Sequence, residues 1–274
     1  MSTINVDNVL PQSGVIVNVN GANIRLKTSI NSLKINSSAA DIGASQSTII
    51  GKDAGPGTTG PANTFLGYNA GKLMGSGGGN TIIGSAAGAN CIGLDNTFLG
   101  NGSGGSVTNG NSNVFIGSNI GNTFATFTGS NNICIGSGSS PATSSSSYSI
   151  TLGDSYTNVL RCAQTSITSL SDARDKKDIK DLGVGLDFVK TLNPVEFVWN
   201  DRDVNGKHDI KDFGFIAQDL KKSQEDVALA DTLRLVYEEN PEKIEASYGK
   251  LIPILVKAIK DLSAKVEALE SKKK

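Results

Sequence analysis

His208 is the only histidine in this sequence, so a Ser-His-Asp mechanism is out of reach. It sits in the polar turn Asp201–Arg202–Asp203–Val204–Asn205–Gly206–Lys207–His208–Asp209, where a catalytic role is implausible. Cysteines are also scarce. Cys91, Cys134 and Cys162 are odd in number, widely spaced and set in strand-like runs. They read as buried thiols of a protein made in a reducing cytoplasm, not as a disulfide framework or zinc site. No apolar run approaches the length of a membrane-spanning helix, and the N-terminus lacks the basic and apolar regions of a signal peptide. Neither membrane insertion nor a leader is therefore expected. Acidic side chains are nearly missing from the first 170 residues, and no carboxylate pair suited to glycoside hydrolysis stands out. No Gly-Lys-Ser/Thr phosphate loop occurs. Gly100–Asn101–Gly102–Ser103–Gly104–Gly105 lies outside any strand–helix unit, so no nucleotide cofactor is expected. The formal net charge of −1 gives nucleic acid nothing to bind.

What the sequence does contain falls into two unlike parts. Residues 1–170 hold 27 of the 32 glycines but only 11 of the 51 charged side chains; residues 171–274 hold the rest. This contrast predicts two architectures. Residues 1–45 alternate apolar and polar positions (Ile4, Val6, Val15, Val17, Val19), with turns at Pro11, Gly14 and Asn20–Gly21. They read as short strands that could serve for attachment.

Residues 46–156 are a repeat of the form Asn/Ser-Thr-apolar-apolar-Gly, as in Asn63–Thr64–Phe65–Leu66–Gly67 and Asn96–Thr97–Phe98–Leu99–Gly100. Closing glycines at 51, 67, 84, 100, 117, 136 and 153 give a period near 17, which fits one coil of a β-solenoid. With two or three apolar residues per coil, a lone chain is expected to bury no core, so three chains around one axis would supply the missing face. The inserts Asn101–Ser112 and Thr123–Phe127 are expected as exposed tips, with Phe124 and Phe127 either touching a host surface or filling a trimer interior. Residues 157–170 read as a connector.

Ser171–Asp172–Ala173–Arg174–Asp175–Lys176 separates the two parts. It carries a hydroxyl with a lysine five residues on, a pairing that can make a serine nucleophilic once the amine is neutral. Serine followed by acidic residues is equally a helix start. Further on, strands are expected at Val195–Trp199 and Phe213–Ala217, and Gln218–Asp231 and Pro241–Ser247 read as helical or loop-like. Residues 201–212 match half of a calcium loop, but Asp212 stands where a bidentate glutamate is usual, and a polar hairpin at Asn205–Gly206 is the simpler reading. No metal is expected. Ile252, Leu255, Ile259, Leu262, Val266 and Leu269, spaced 3, 4, 3, 4, 3, form a heptad seam whose Ile/Val and Leu choice alone leans toward a parallel dimer. Pro253 is tolerable near that helix's start.

Read together, Ser171, Asp172, Arg174, Lys176 and Ile179, then Leu192–Asn193–Pro194–Val195, Gly214–Phe215–Ile216–Ala217–Gln218–Asp219 and Tyr248–Gly249–Lys250–Leu251–Ile252–Pro253, resemble a known family. It is the intramolecular chaperone domain at the C-termini of phage endosialidases, tail spikes and tail fibres. The repeats resemble the head repeats of trimeric autotransporter adhesins and phage fibre shafts. The family resemblance implies a trimerising folding aid that cuts itself away, with Ser171 as nucleophile, Lys176 as general base, and Asp172 and Arg174 as supporting motif residues. Arg174 and Lys177 are expected to favour the neutral form of Lys176. The cut is expected between Leu170 and Ser171, the other side of Ser171 being the alternative. The resulting expectation is a mainly β fold: a trimeric solenoid or β-roll shaft followed by a small α+β chaperone domain (171–274) ending in a coiled-coil helix. The implied setting is a homotrimer on a virion tail, made in the host cytoplasm, touching other tail proteins and a host receptor. A fibre that keeps its chaperone, or a trimeric surface adhesin, are the other readings.

Overall fold

The computed structural model describes residues 32–35, 46–157, 159–163, 167–200, 209–227 and 229–273. Of the N-terminal segment this leaves one strand, β1 (Ser32–Ile35); its other expected strands and any attachment role lie outside the described residues, as do residues 201–208 of the polar turn.

Residues 47–153 form a parallel β-solenoid of about six turns. Each repeat supplies one short strand: β2 (Ser47–Ile50), β3 (Thr64–Leu66), β4 (Thr81–Ile83), β5 (Thr97–Leu99), β6 (Val114–Ile116), β7 (Ile133–Ile135) and β8 (Ile150–Leu152). With β1 they make one eight-stranded sheet in sequence order, the Thr of one repeat pairing with the first residue of the next strand. Strands of three residues are too short to persist alone. They hold because each coil is bonded to its neighbours all the way round, as in Gly71 N to Ala87 O (3.0 Å) and Leu73 N to Ala89 O (2.9 Å) on the walls away from the sheet. The closing glycine is dictated by backbone conformation. Gly84 and Gly100 sit at φ +138° and +132°, where a side chain is strained, and a Cβ on Gly84 would strike the Gly100 carbonyl oxygen.

The solenoid buries a core within a single chain, contrary to expectation. From β2 to β7 one strand residue points inward, and Ile49, Phe65, Ile82, Phe98, Phe115 and Cys134 are fully buried. The strands alone do not supply the core. The return walls add Ala54, Ala70, Met74, Ala87, Cys91, Val107, Ile120 and Phe127, all at 0 % exposure. Each buried Phe contributes ~1.5–3 kcal/mol. The two inserts are therefore core walls instead of exposed tips: Val107 bridges to Phe127, Phe127 packs on Phe115 (5.9 Å between ring centres), and Phe124 lies over Phe127.

A column of side-chain amides runs up the same interior. Asn63, Asn80, Asn96, Asn113 and Asn132 are buried, and each of the first four accepts through Oδ1 from both the backbone N–H and the Nδ2 of the next, at 2.9–3.2 Å. Each Nδ2 also donates to a carbonyl of the following coil, as Asn96 does to Gly110 (2.9 Å). Serines close the column: Ser47 Oγ accepts from Asn63 N, and Ser149 Oγ donates to Asn132 Oδ1. Buried amides are tolerable because almost every lone pair and N–H is used.

Cys91 and Cys134 are buried as expected, and burial pushes both thiols up to about 11. Cys162 is exposed instead, because it lies in the connector beyond the last coil. Alkylation of the native protein should therefore modify Cys162 and spare the other two until the chain is unfolded. Peptide mass mapping showing equal rates at Cys91 and Cys162 would contradict a closed solenoid.

Beyond the connector lies a small α+β region: α1 (Leu186–Val189), β9 (Val195–Val198), β10 (Lys211–Gly214), α2 (Ala217–Glu225), α3 (Ala230–Leu233), β11 (Val236–Tyr237), β12 (Glu245–Ala246) and α4 (Leu251–Ser271). β10 begins two residues before the expected strand and ends three short of it. Its antiparallel register with β9 runs from Lys211↔Val198 to Gly214↔Val195, and Ile216 is already the cap of α2. α4 packs on α1 through Leu251, Ile254 and Ala258, with Asp261 capping α1 by accepting from Leu186 N (3.3 Å). The heptad seam is a different face of that helix: Ile252, Leu255, Ile259, Leu262, Val266 and Leu269 are all exposed. No helix among the described residues is long and apolar enough to cross a membrane.

Candidate functional site

The candidate nucleophile and base meet because the four residues between them turn back on themselves. Asp172 starts the turn: its Oδ1 accepts from Arg174 N (2.9 Å), capping the single 3₁₀ turn Ala173–Asp175. The same carboxylate is gripped by the Arg174 side chain, Nη2 to Oδ2 at 2.6 Å and Nε to both oxygens at 3.1 Å. The Arg174 bonds, side chain first and backbone second, hold the Asp172 carboxyl below the usual carboxylate range. Lys176 leaves the turn extended and folds back, its Nζ 2.6 Å from Ser171 Oγ and 3.1 Å from Ser171 O.

The expected pair is thus within hydrogen-bonding distance. Asp172 and Arg174 acquire a role that spacing did not reveal, since they close the turn that brings Lys176 home. The Arg174 guanidinium, expected to act on Lys176, is paired with Asp172. Neither Ser171 nor Lys176 is buried, and Leu170 before them is 99 % exposed. A proton acceptor within reach of a serine hydroxyl is the minimum arrangement for nucleophilic attack. Asp212 of the half calcium loop accepts from Trp199 Nε1 (3.1 Å) and Phe213 N (2.9 Å). Among the described residues no group of three or more His, Cys, Asp or Glu side chains is placed to hold a metal ion.

Residues 171–229 match the chaperone of endosialidase family. The match opens on Ser171 and covers none of the solenoid. No curated protein and no solved structure matches the chain. The match supports a chaperone role of tail-spike type for this part of the protein.

The chaperone segment is tied to the residues that follow it. Gln224 Oε1 accepts from Leu235 N (2.8 Å), and Tyr248 Oη accepts from Phe215 N (3.1 Å). The loop after β11 reaches the last coil of the solenoid, where Asn240 Nδ2 donates to Ala142 O (3.1 Å). Hydroxyls of Ser146, Tyr237 and Thr143 hold the neighbouring Glu239 carboxyl below its ordinary range, Tyr237 Oη donating to Oε2 at 2.6 Å. A depressed carboxyl stabilises contact while ionised, so this contribution is present above the ordinary glutamate range and lost as pH falls through the depressed value. Amide protection at residues 142–146, relative to intrinsic exchange, should accordingly fall on acidification, and Glu239→Gln should lower it already at neutral pH. Unchanged protection in both would discount the contact.

Proposed function

We propose that this chain is a phage tail fibre or similar appendage protein whose C-terminal segment brings three copies together, lets their solenoids wind, and then cuts itself away at Ser171. The observation that carries the reading is the 2.6 Å approach of Lys176 Nζ to Ser171 Oγ at the first residue of the family match. Neutral Lys176 takes the Ser171 hydroxyl proton as Oγ attacks the Leu170 carbonyl carbon. The tetrahedral adduct then expels the Ser171 nitrogen, which receives that proton from Lys176. The resulting ester is hydrolysed by water to the Leu170 carboxylate, freeing the Ser171 hydroxyl.

Self-association is supported by two unpartnered surfaces. The seam of α4 offers six exposed aliphatics in heptad spacing, and the outer face of the sheet carries an uncharged column including Leu66, Leu99, Ile116 and Ile135. Near-identical coils specify register weakly between chains, and non-local pairing is slow. A helper that joins three C-termini raises their effective concentration and starts them in step. Cutting afterwards removes the element from which unwinding could begin.

The Asn240 and Glu239 contacts with the last coil favour a second reading, in which the chaperone stays on the fibre. A denaturing gel and intact mass of the purified protein separate them: fragments 1–170 and 171–274 support the first, an unbroken chain the second.

A further inference from the structure

A groove of about 990 Å³ opens beside the dyad. Lys176 lines it together with the aliphatic Ile179, Leu182, Val227 and Leu229 and the charged Lys177, Lys180 and Asp226. On the other side of Ser171, Ile167 and Leu170 are each 99 % exposed, three residues apart in chain that is neither helix nor strand. Two fully wetted aliphatics and an aliphatic cleft thus flank the same residue.

We propose that this groove receives the chain's own Ile167 and Leu170 and thereby sets the scissile bond against Ser171 Oγ. The inference rests on the self-cleavage reading and adds what positions its substrate. Leu170 is covalently joined to Ser171, whose Oγ already touches a wall residue of the groove. Four extended residues span up to ~13 Å, so the segment reaches the groove without moving the fold. Seating it does two things that the exposed arrangement does not. It restricts the Leu170 carbonyl to approach geometries near Oγ. It also covers Lys176 and the reacting bond with apolar surface and so excludes water from them. An uncut chain with its segment in water then has a paired but idle dyad, and cleavage waits on docking.

The test follows the first-order appearance of fragment 1–170 in the full chain. Leu170→Asp and Ile179→Asp both alter exposed positions, so folding is spared. Each should slow the cut at least ~10-fold, with Leu170→Ile near the wild-type rate and Ile179→Lys recovering part of the loss in the Leu170→Asp chain. Rates within twofold of wild type for both acidic variants, in a chain whose cut still requires Ser171, overturn the groove while leaving self-cleavage standing. A second readout needs no chemistry at the bond. In a Ser171→Ala, Cys162→Ser chain, mild oxidation should join Leu170→Cys to Thr232→Cys within one chain, at least ~10-fold faster than it joins Leu170→Cys to Lys190→Cys. Equal rates for the two pairs place the segment in solvent and overturn the proposal, even if the wild type proves uncut.

Discussion

Replacing Ser171 by alanine is expected to leave the chain whole, because no other hydroxyl lies one bond-path from the Leu170 carbonyl with Lys176 Nζ at 2.6 Å. Lys176→Ala should slow the cut by ~10²–10⁴, the usual range for a lost general base. Lys176→Arg should be as inactive as the alanine variant, since arginine keeps the charge but cannot be deprotonated in a protein. Asp172→Ala should act more mildly and through position, since it unties both the cap and the Arg174 fork that hold the turn. Time courses on denaturing gels, with N-terminal sequencing of the smaller fragment, measure all four. Persistent cleavage in Ser171→Ala or Lys176→Ala removes the dyad from consideration, and a new N-terminus other than Ser171 moves the cut.

The second large effect lies in the solenoid. Asn96→Ala removes the acceptor used by Asn113 N (3.0 Å) and Asn113 Nδ2 (3.1 Å), and the donor to Gly110 O (2.9 Å). Asn113 N–H and the Gly110 carbonyl are left unmet in a dry interior. At ~1–3 kcal/mol for each, the loss should be about 2–6 kcal/mol, a large share of the ~5–15 kcal/mol that holds a typical domain. Asn96→Asp should be at least as damaging, since a carboxylate cannot donate to Asn80 Oδ1 or Gly110 O and is unpaired in the core. Asn101→Ala supplies the comparison: that exposed amide makes one long bond to Ser85 O (3.4 Å), and its loss should stay within ~0.5 kcal/mol. Denaturant unfolding of the three variants decides the matter. An Asn96→Ala chain as stable as Asn101→Ala would mean that the amide column carries no weight.

The comparison of those two asparagines also shows where sequence reading stops. Asn96 opens a repeat unit and Asn101 follows its closing glycine, but that placement does not say which amide is bonded inside the coil. What separates them is the coil above and the coil below, 16 and 17 residues away. The serines at 47 and 149 were visible as the first and last variants of the repeat, but only their bonds to Asn63 and Asn132 show them to be ends of a column. Phe127 is similar. A short aromatic insert in the longest interval looked like an exposed tip, and it proves to be the wall facing Phe115.

By itself the sequence determined the solenoid, through a 16–19-residue period closed by glycines, and the placement of the chaperone segment, through motifs that begin at Ser171. Period and order are properties of a string, and a backbone conformation open only to glycine can be read from it. The tertiary structure alone decided that one chain encloses its own core, that α4 docks by a face other than its heptad seam, and that Asp172 and Arg174 serve the turn joining Ser171 to Lys176. The first two depend on which surfaces meet across many residues of intervening chain, and the third on which hydrogen bonds close a turn that spacing leaves open. Burial and hydrogen-bond satisfaction are settled only once those surfaces are in contact.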